Sequence, residues 1–220
     1  MADKQNIKMS YVCAGDMGNN SYILYADDRE DCVVIDTAGD GSEIIQALQK
    51  LGRKPALLLL THGHFDHIMG LPKLREAYEM PVAIHKDEAH ALSDPEMNLS
   101  MLTGRPLKMP DAEMLLEDGQ RVESAGIDLE VIHTPGHSPG SVSFLCGNAV
   151  FSGDTLFQNS VGRTDFPGSS LEELIASLGR LFALEGNLDV FPGHSGFSTL
   201  DAERRGNFFV RQYAPGLMEK

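Results

Sequence analysis

The chain reads as a layered α/β protein in which two mixed β-sheets pack face to face. Three observations predict this. Segments of β type open each half of the chain, at 7–14, 21–26 and 31–37 and again at 129–134, 141–145 and 148–152. Each half then turns to helical spacing, at 39–51 and 171–184, and the period of the apolar positions separates the two kinds of element. The run 55–61, PALLLLT, is apolar almost throughout, as a strand covered on both faces demands.

In order along the chain, polar turns at 16–20 and 27–31 separate the first three strands. The helix at 39–51 carries Ile44, Ile45, Leu48 and Leu51 on one face. After the apolar strand, 67–78 has helical character and 81–85 reads as another strand. The stretch 94–111 is rich in methionine (Met97, Met101, Met109) and has no clear period, which fits a pocket wall, a lid or core filler. The helix at 171–184 sets Leu171, Leu174, Ile175, Leu178, Leu181 and Phe182 on one stripe and starts with a capping box, Ser170 and Glu173. A strand at 188–191 and a helix from about 200 to 212 complete the pattern. No repeat, low-complexity tract or linker divides the chain, so residues 1–220 are expected to form one domain.

Composition narrows the function. Lys plus Arg number 18 against 32 Asp plus Glu, a net charge of −14. That field repels phosphate backbones and anionic membranes, so neither nucleic acid nor membrane is an expected partner. The opening MADKQNIKMS lacks the apolar core of a signal peptide, and the leucine run at 56–60 is too short to span a bilayer. Cys13, Cys32 and Cys146 are odd in number and far apart, so they read as reduced core thiols of a cytoplasmic protein.

The chemistry concentrates in THGHFDHIMG at 61–70, which holds three of the eight histidines. In an extended segment, positions i and i+2 point the same way, so His62 and His64 can grip one ion. Asp66 and His67 fall where a helix begins and turn toward a second. Imidazoles packed together without a metal would leave nitrogens competing for partners. Nitrogen and carboxylate donors suit zinc, with iron or manganese as alternatives. Four donors cannot complete two ions, so others are expected at further strand ends. His137 in HTPGHSPGS, Asp154 in VFSGDTLF and His194 in VFPGHSG each follow a strand and a Gly or Pro turn. Asp154, with two oxygens, is the natural bridge.

Other motifs fail. His85 and His90 lie roughly 140° apart around a helix and cannot form an i, i+4 zinc pair. His133 precedes the turn that carries His137 and reads as structural. Gly136-His137-Ser138-Pro139-Gly140 fits the G-x-S-x-G nucleophile elbow, but Pro139 has no N–H to give an oxyanion hole. Gly39-Asp40-Gly41 lacks the third glycine of a dinucleotide loop, since position 44 is Ile.

T-H-x-H-x-D-H-x-x-G at 61–70, followed by His137, Asp154 and His194, resembles the metallo-β-lactamase superfamily. Within it, the chain is similar to the glyoxalase II (hydroxyacylglutathione hydrolase) branch in its short bacterial single-domain form. The likeness extends to Asp36 after an early strand and to GDTLF…GRTD at 153–165. The resemblance implies an αββα four-layer sandwich with helices outside and two divalent ions at one edge. His62, His64 and His137 would hold the first ion, Asp66, His67 and His194 the second, and Asp154 would bridge them. Asp66 and Asp154 would also count as catalytic. A metal-bridging hydroxide would cleave a small-molecule thioester such as S-lactoylglutathione. A mononuclear-iron persulfide dioxygenase and a lactonase are the alternatives on the same fold. Too few residues follow His194 for the family's C-terminal helical glutathione-binding domain, and Ser195-Gly196 replaces its usual turn. Arg163 and Asp165 read as an ion pair supporting the Asp154 loop; Asn20 and Tyr22 read as turn and packing residues.

Overall fold

The computed structural model describes residues 7–218. Six strands form the first sheet in chain order: β1 (Ile7–Ala14), β2 (Asn19–Ala26), β3 (Asp31–Ile35), β4 (Lys54–Leu59), β5 (Val82–His85) and β6 (Met114–Leu116). β1 to β3 pair antiparallel, and β3 to β6 run parallel. The second sheet begins as an antiparallel meander of β7 (Arg121–Ser124), β8 (Ile127–His133), β9 (Val142–Cys146) and β10 (Ala149–Gly153). A short ribbon, β11 (Leu156–Phe157) with β12 (Ser160–Val161), follows. The sheet then resumes with β13 (Asp189–Pro192), parallel to β10, and β14 (Ser198–Thr199) on the edge.

Alternation along the strands builds the layers. Leu57 and Leu59 of β4 pack between the sheets with Val131, Phe144 and Phe151. Leu58 and Leu60 point the other way, against Ile44 and Leu48 of α1 (Ser42–Leu51), beyond which lie α2 (Phe65–Ile68) and α3 (Leu71–Ala77). The unbroken apolar run of β4 is thus two faces read in turn. In the second sheet, Val150 and Val190 face outward onto Leu174, Leu178 and Leu181 of α4 (Leu171–Phe182). α5 (Leu200–Gly206) and α6 (Phe208–Tyr213) complete that layer through Leu200 and Val210. The order helix, sheet, sheet, helix is the expected αββα sandwich. Because β3, β4 and β5 are parallel, as are β10 and β13, their C-terminal ends expose functional loops at common edges.

Several elements differ from expectation. The helix at 67–78 is two: α2 starts earlier, at Phe65, and α3 begins afresh after Gly70. Pro72 cannot donate to the carbonyl of Ile68, so one continuous helix is ruled out. The helix at 200–212 breaks at Asn207, whose amide donates to Glu203 (2.7 Å) and the Ser160 carbonyl (3.0 Å) while its oxygen caps Val210 N–H. β6 and β7 lie where no strand was expected. In the methionine-rich stretch only a single 3₁₀ turn forms, at Ser100–Thr103; Met109 is buried and Met101 exposed. Cys32 and Cys146 are buried free thiols, with burial pushing them up to about 12 and about 11, but Cys13 is exposed and is not a core thiol. Ser170 caps α4 by accepting from Glu173 N–H, one half of the capping box; the Ser170 N–H itself donates to the Gly136 carbonyl (2.8 Å) rather than to the Glu173 side chain. No helix among the described residues is long and apolar enough to cross a membrane.

Candidate metal centre

Four loops and one short helix bring the seven candidate side chains together. β4 runs into Thr61-His62-Gly63-His64, α2 carries Asp66 and His67, and the loops after β8, β10 and β13 supply His137, Asp154 and His194. Three groups with ligand atoms all within 4.8 Å of one another result: His62–His64–His137, Asp66–His67–His194, and His62–His67–Asp154. The third joins the other two, which puts Asp154 between them. Its Oδ2 lies 3.5 Å from His137 Nε2 and 3.4 Å from His194 Nε2, and its Oδ1 lies 3.4 Å from His67 Nε2.

The hydrogen bonds behind the histidines decide which nitrogen faces inward. Thr61 Oγ1 donates to Asp36 Oδ2 (2.7 Å), so its contact with His62 Nδ1 (3.1 Å) makes that nitrogen the donor. His67 Nδ1 donates to Asp36 Oδ2 (2.9 Å), His137 Nδ1 to the Arg163 carbonyl (2.9 Å) and His194 Nδ1 to the Met17 carbonyl (3.2 Å). Each of these four rings therefore turns its Nε2 inward, the arrangement found around metal-ligating histidines. His64 enters by its other nitrogen, with Nδ1 2.9 Å from His137 Nε2. His62 Nε2 and Asp154 Oδ1 are buried and have no hydrogen-bond partner. Orphaned buried atoms of this kind are costly unless a cation takes them. The donor set fits divalent ions.

Charge is arranged to match. Burial holds His62 well below the usual imidazole range and takes His64 down to about 3. Burial opposes the charge on His67 and His194 too, but neighbouring carboxylates prevail. Asp154, Asp66 and Asp36 hold His67 well above its usual value, and hydrogen bonds to Asp154 and Asp66 lift His194 to about 9. Burial disfavours the charged forms of Asp66 and Asp154, yet His67 foremost keeps both below the usual carboxylate range.

Glycine lets the loops close. A Cβ on Gly193 would collide with Asp154 Oδ1 and His67 Cε1, so only glycine can precede His194 here. Above the cluster opens a pocket of about 190 Å³ walled by Phe65, Leu99, Phe157 and Phe166. Arg163 sits at its rim, stacked over Phe166 and paired with Asp165 (2.8 and 2.7 Å), both ends of that pair exposed. The pair forms, but on the surface rather than internally; Arg163 meets the site through its carbonyl, which accepts from His137 Nδ1.

Supporting residues extend beyond the sequence reading. Asn20 and Tyr22 both donate to the Pro192 carbonyl (3.0 and 2.6 Å) and so brace the His194 loop. Asn19, a neighbour in the same strand, donates to Asp66 Oδ2 (2.8 Å), and Glu88 ties two ligand loops together; neither is signalled by any motif. His85, Asp87 and His133 also cluster. The two rings, however, stack at 4.1 Å and 14°, which sends their lone pairs parallel rather than convergent. His133 Nε2 bonds the Pro139 carbonyl (2.9 Å), bracing the turn of His137, so its structural reading holds. Ser138 is buried and donates to Glu88 (2.9 Å), which removes it as a nucleophile.

A profile of the metallo-β-lactamase superfamily matches residues 14–194, and the chain belongs to that superfamily. It is 37 % identical to the probable metallo-hydrolase YqgX of Bacillus subtilis over 94 % of this chain and 100 % of that one. It is 31 % identical to the hydroxyacylglutathione hydrolase GloC of Haemophilus influenzae over 85 % of this chain and 91 % of that one. Among solved structures, BLEG-1 B3 metallo-β-lactamase superposes with a TM-score of 0.88 at 38 % identity, covering 92 % of this chain and 99 % of the other. TTHA1623 in a di-iron-bound form gives 0.82 at 36 %, covering 91 % and 99 %. Fold, His/Asp clusters and relatives together define a metallo-hydrolase of this superfamily.

Proposed function

We propose that the chain hydrolyses a small-molecule thioester of the S-lactoylglutathione kind, using two divalent ions. His62, His64 and His137 would hold one, Asp66, His67 and His194 the other, and Asp154 would touch both. The observation that carries this reading is the convergence of seven donors, His62 Nε2 and Asp154 Oδ1 orphaned among them, beneath one small pocket. Zinc suits the donors; the di-iron form of TTHA1623 supports iron as an alternative, and manganese fits the same set. When bound, such ions bring the pKa of a water near ~7 and offset charge developing on a carbonyl oxygen.

The chain's own groups supply the rest. Phe65, Leu99, Phe157 and Phe166 line a cavity sized for a short acyl group. Asp36 and the carbonyls of Arg163 and Met17 keep His67, His137 and His194 in the tautomer that leaves Nε2 free. A thiolate leaves without protonation, so the absence of a further acid among the pocket's lining residues is no obstacle. Three free cysteines support a reducing, cytoplasmic setting.

The test is metal content of the purified protein together with turnover of S-lactoylglutathione, with Asp154→Ala as control. About two ions per chain and loss of turnover in the variant support the reading. One iron per chain with oxygen uptake on glutathione persulfide would replace it by a dioxygenase. The likeness to BLEG-1 makes β-lactam opening the second reading, and a cephalosporin belongs in the same assay.

A further inference from the structure

Glu88 carries a carboxylate for which thioester hydrolysis has no direct use, yet it is 1 % exposed. It lies just past β5 and reaches two separate turns. Oε1 accepts from Gly63 N–H (3.0 Å), the residue between His62 and His64. Oε2 accepts from Gly140 N–H (2.7 Å) and Ser138 Oγ (2.9 Å), on the turn that presents His137. All three donors are neutral, so its charge has no cation among them. The backbone is shaped around it: a Cβ on Gly140 would come within 2.5 Å of Glu88 Cβ, and one on Gly63 within 2.7 Å of Ala91 Cβ.

We propose that Glu88 is a positioning residue for one ion only, the one assigned to His62, His64 and His137. Its two oxygens set the spacing between the His62–His64 turn and the His137 turn, and its buried charge favours a cation between them. This rests on the two-ion reading above. A carboxylate is required because it only accepts: glutamine offers one oxygen and one NH₂, and whichever way it turns an N–H meets a backbone N–H. Asp36 plays a related part behind His67 and reaches His62 only through Thr61, and no bond links Glu88 to Asp66, His67 or His194.

The test separates the halves by mutation. In a His194→Ala background the first half alone retains its ligands; in His137→Ala, the second alone. Zinc affinity is read by competition with a chromophoric chelator, so no thioester turnover enters. Glu88→Gln should weaken zinc on the order of 10–100-fold in the His194→Ala background, the range for outer partners of a metal ligand, and leave it unchanged in His137→Ala. Unchanged affinity in the first background, or equal loss in both, overturns the assignment. Should Glu88→Gln not fold, as judged by thermal melting, Ser138→Ala keeps the charge and removes one donor. It should then weaken the first ion alone by roughly tenfold, the worth of a hydrogen bond to a charged acceptor, and no change overturns the proposal. A wild-type chain that binds two ions but leaves S-lactoylglutathione intact sinks the substrate reading and leaves this test standing.

Discussion

The two halves of the centre are built from different chemistry. His62, His64 and His137 are three imidazoles with a few per cent exposure at most, and burial holds His62 and His64 neutral. Asp66, His67 and His194 mix a carboxylate with two imidazoles that carboxylates push toward the protonated form, and the His194 side chain is 19 % exposed. The first half is therefore ready for a cation and has no proton to lose from His62 or His64. The second balances its carboxylates with protons that a cation must displace. One fold thus sets a deep, charge-poor cluster beside a shallower, charge-rich one, with Asp154 between them.

The sharpest way to break that comparison is to remove the shared group. Asp154→Ala should lower the affinity of both ions and cut hydrolysis by more than the ~100-fold typical upper bound for an outer-shell partner. Metal analysis and steady-state kinetics check it; retention of two ions at full affinity would show that Asp154 does not join the halves. Next in size, Asp36→Asn turns an amide NH₂ toward either His67 Nδ1 or Thr61, disturbing the tautomer that frees His67 Nε2. Zinc should weaken about 10–100-fold in a His137→Ala background, and by less in His194→Ala, where Asp36 reaches a ligand, His62, only through Thr61.

A smaller effect is the pH dependence. In the metal-free protein His194 titrates near 9, above its usual 6.5, so at neutral pH it carries a proton that binding must release. Affinity in the second half should rise with pH, by about tenfold per unit for each proton released. The first half, where burial has already removed the protons of His62 and His64, should be flatter over that span. Zinc titrations from pH 6.5 to 9 in the two single-half backgrounds measure it. Equal slopes would erase the distinction drawn above.

Much of this was legible in the sequence because the ligands follow strands. A strand end is marked by apolar residues giving way to Gly or Pro, so Asp154 in VFSGDTLF and His194 in VFPGHSG announce themselves. The layers were legible for the same reason: β4 is apolar because both its faces are covered. What stayed hidden depends on contacts between distant segments. Asn19 meets Asp66 across 47 positions, and Glu88 meets Gly140 across 52; nothing local marks either one. The surroundings of Glu88, HKDEAH, contain His85 and His90, neither of which joins the three groups around Asp154. The break at Asn207 was hidden likewise, since an asparagine in a helical pattern becomes a cap only when Glu203 and Ser160 are there to receive its amide.

The smallest expected effect concerns Ser138, the one residue whose motif points to another enzyme class. In G-x-S-x-G chemistry the serine is the nucleophile, and its loss removes nearly all turnover. Here its hydroxyl is buried, donates to Glu88 and lies 2.7 Å from Ser141 Oγ, so it faces away from any carbonyl in the pocket. Ser138→Ala removes its contact with Ser141 and its hydrogen bond to the Glu88 carboxylate, the latter about 1.5 kcal/mol, so hydrolysis should fall by no more than roughly tenfold. The residual change should track the affinity of the first ion and vanish when zinc is saturating. A loss that saturating zinc does not restore would return the hydroxyl to the reaction itself, and the division between a positioning serine and a metal-based site would fall with it.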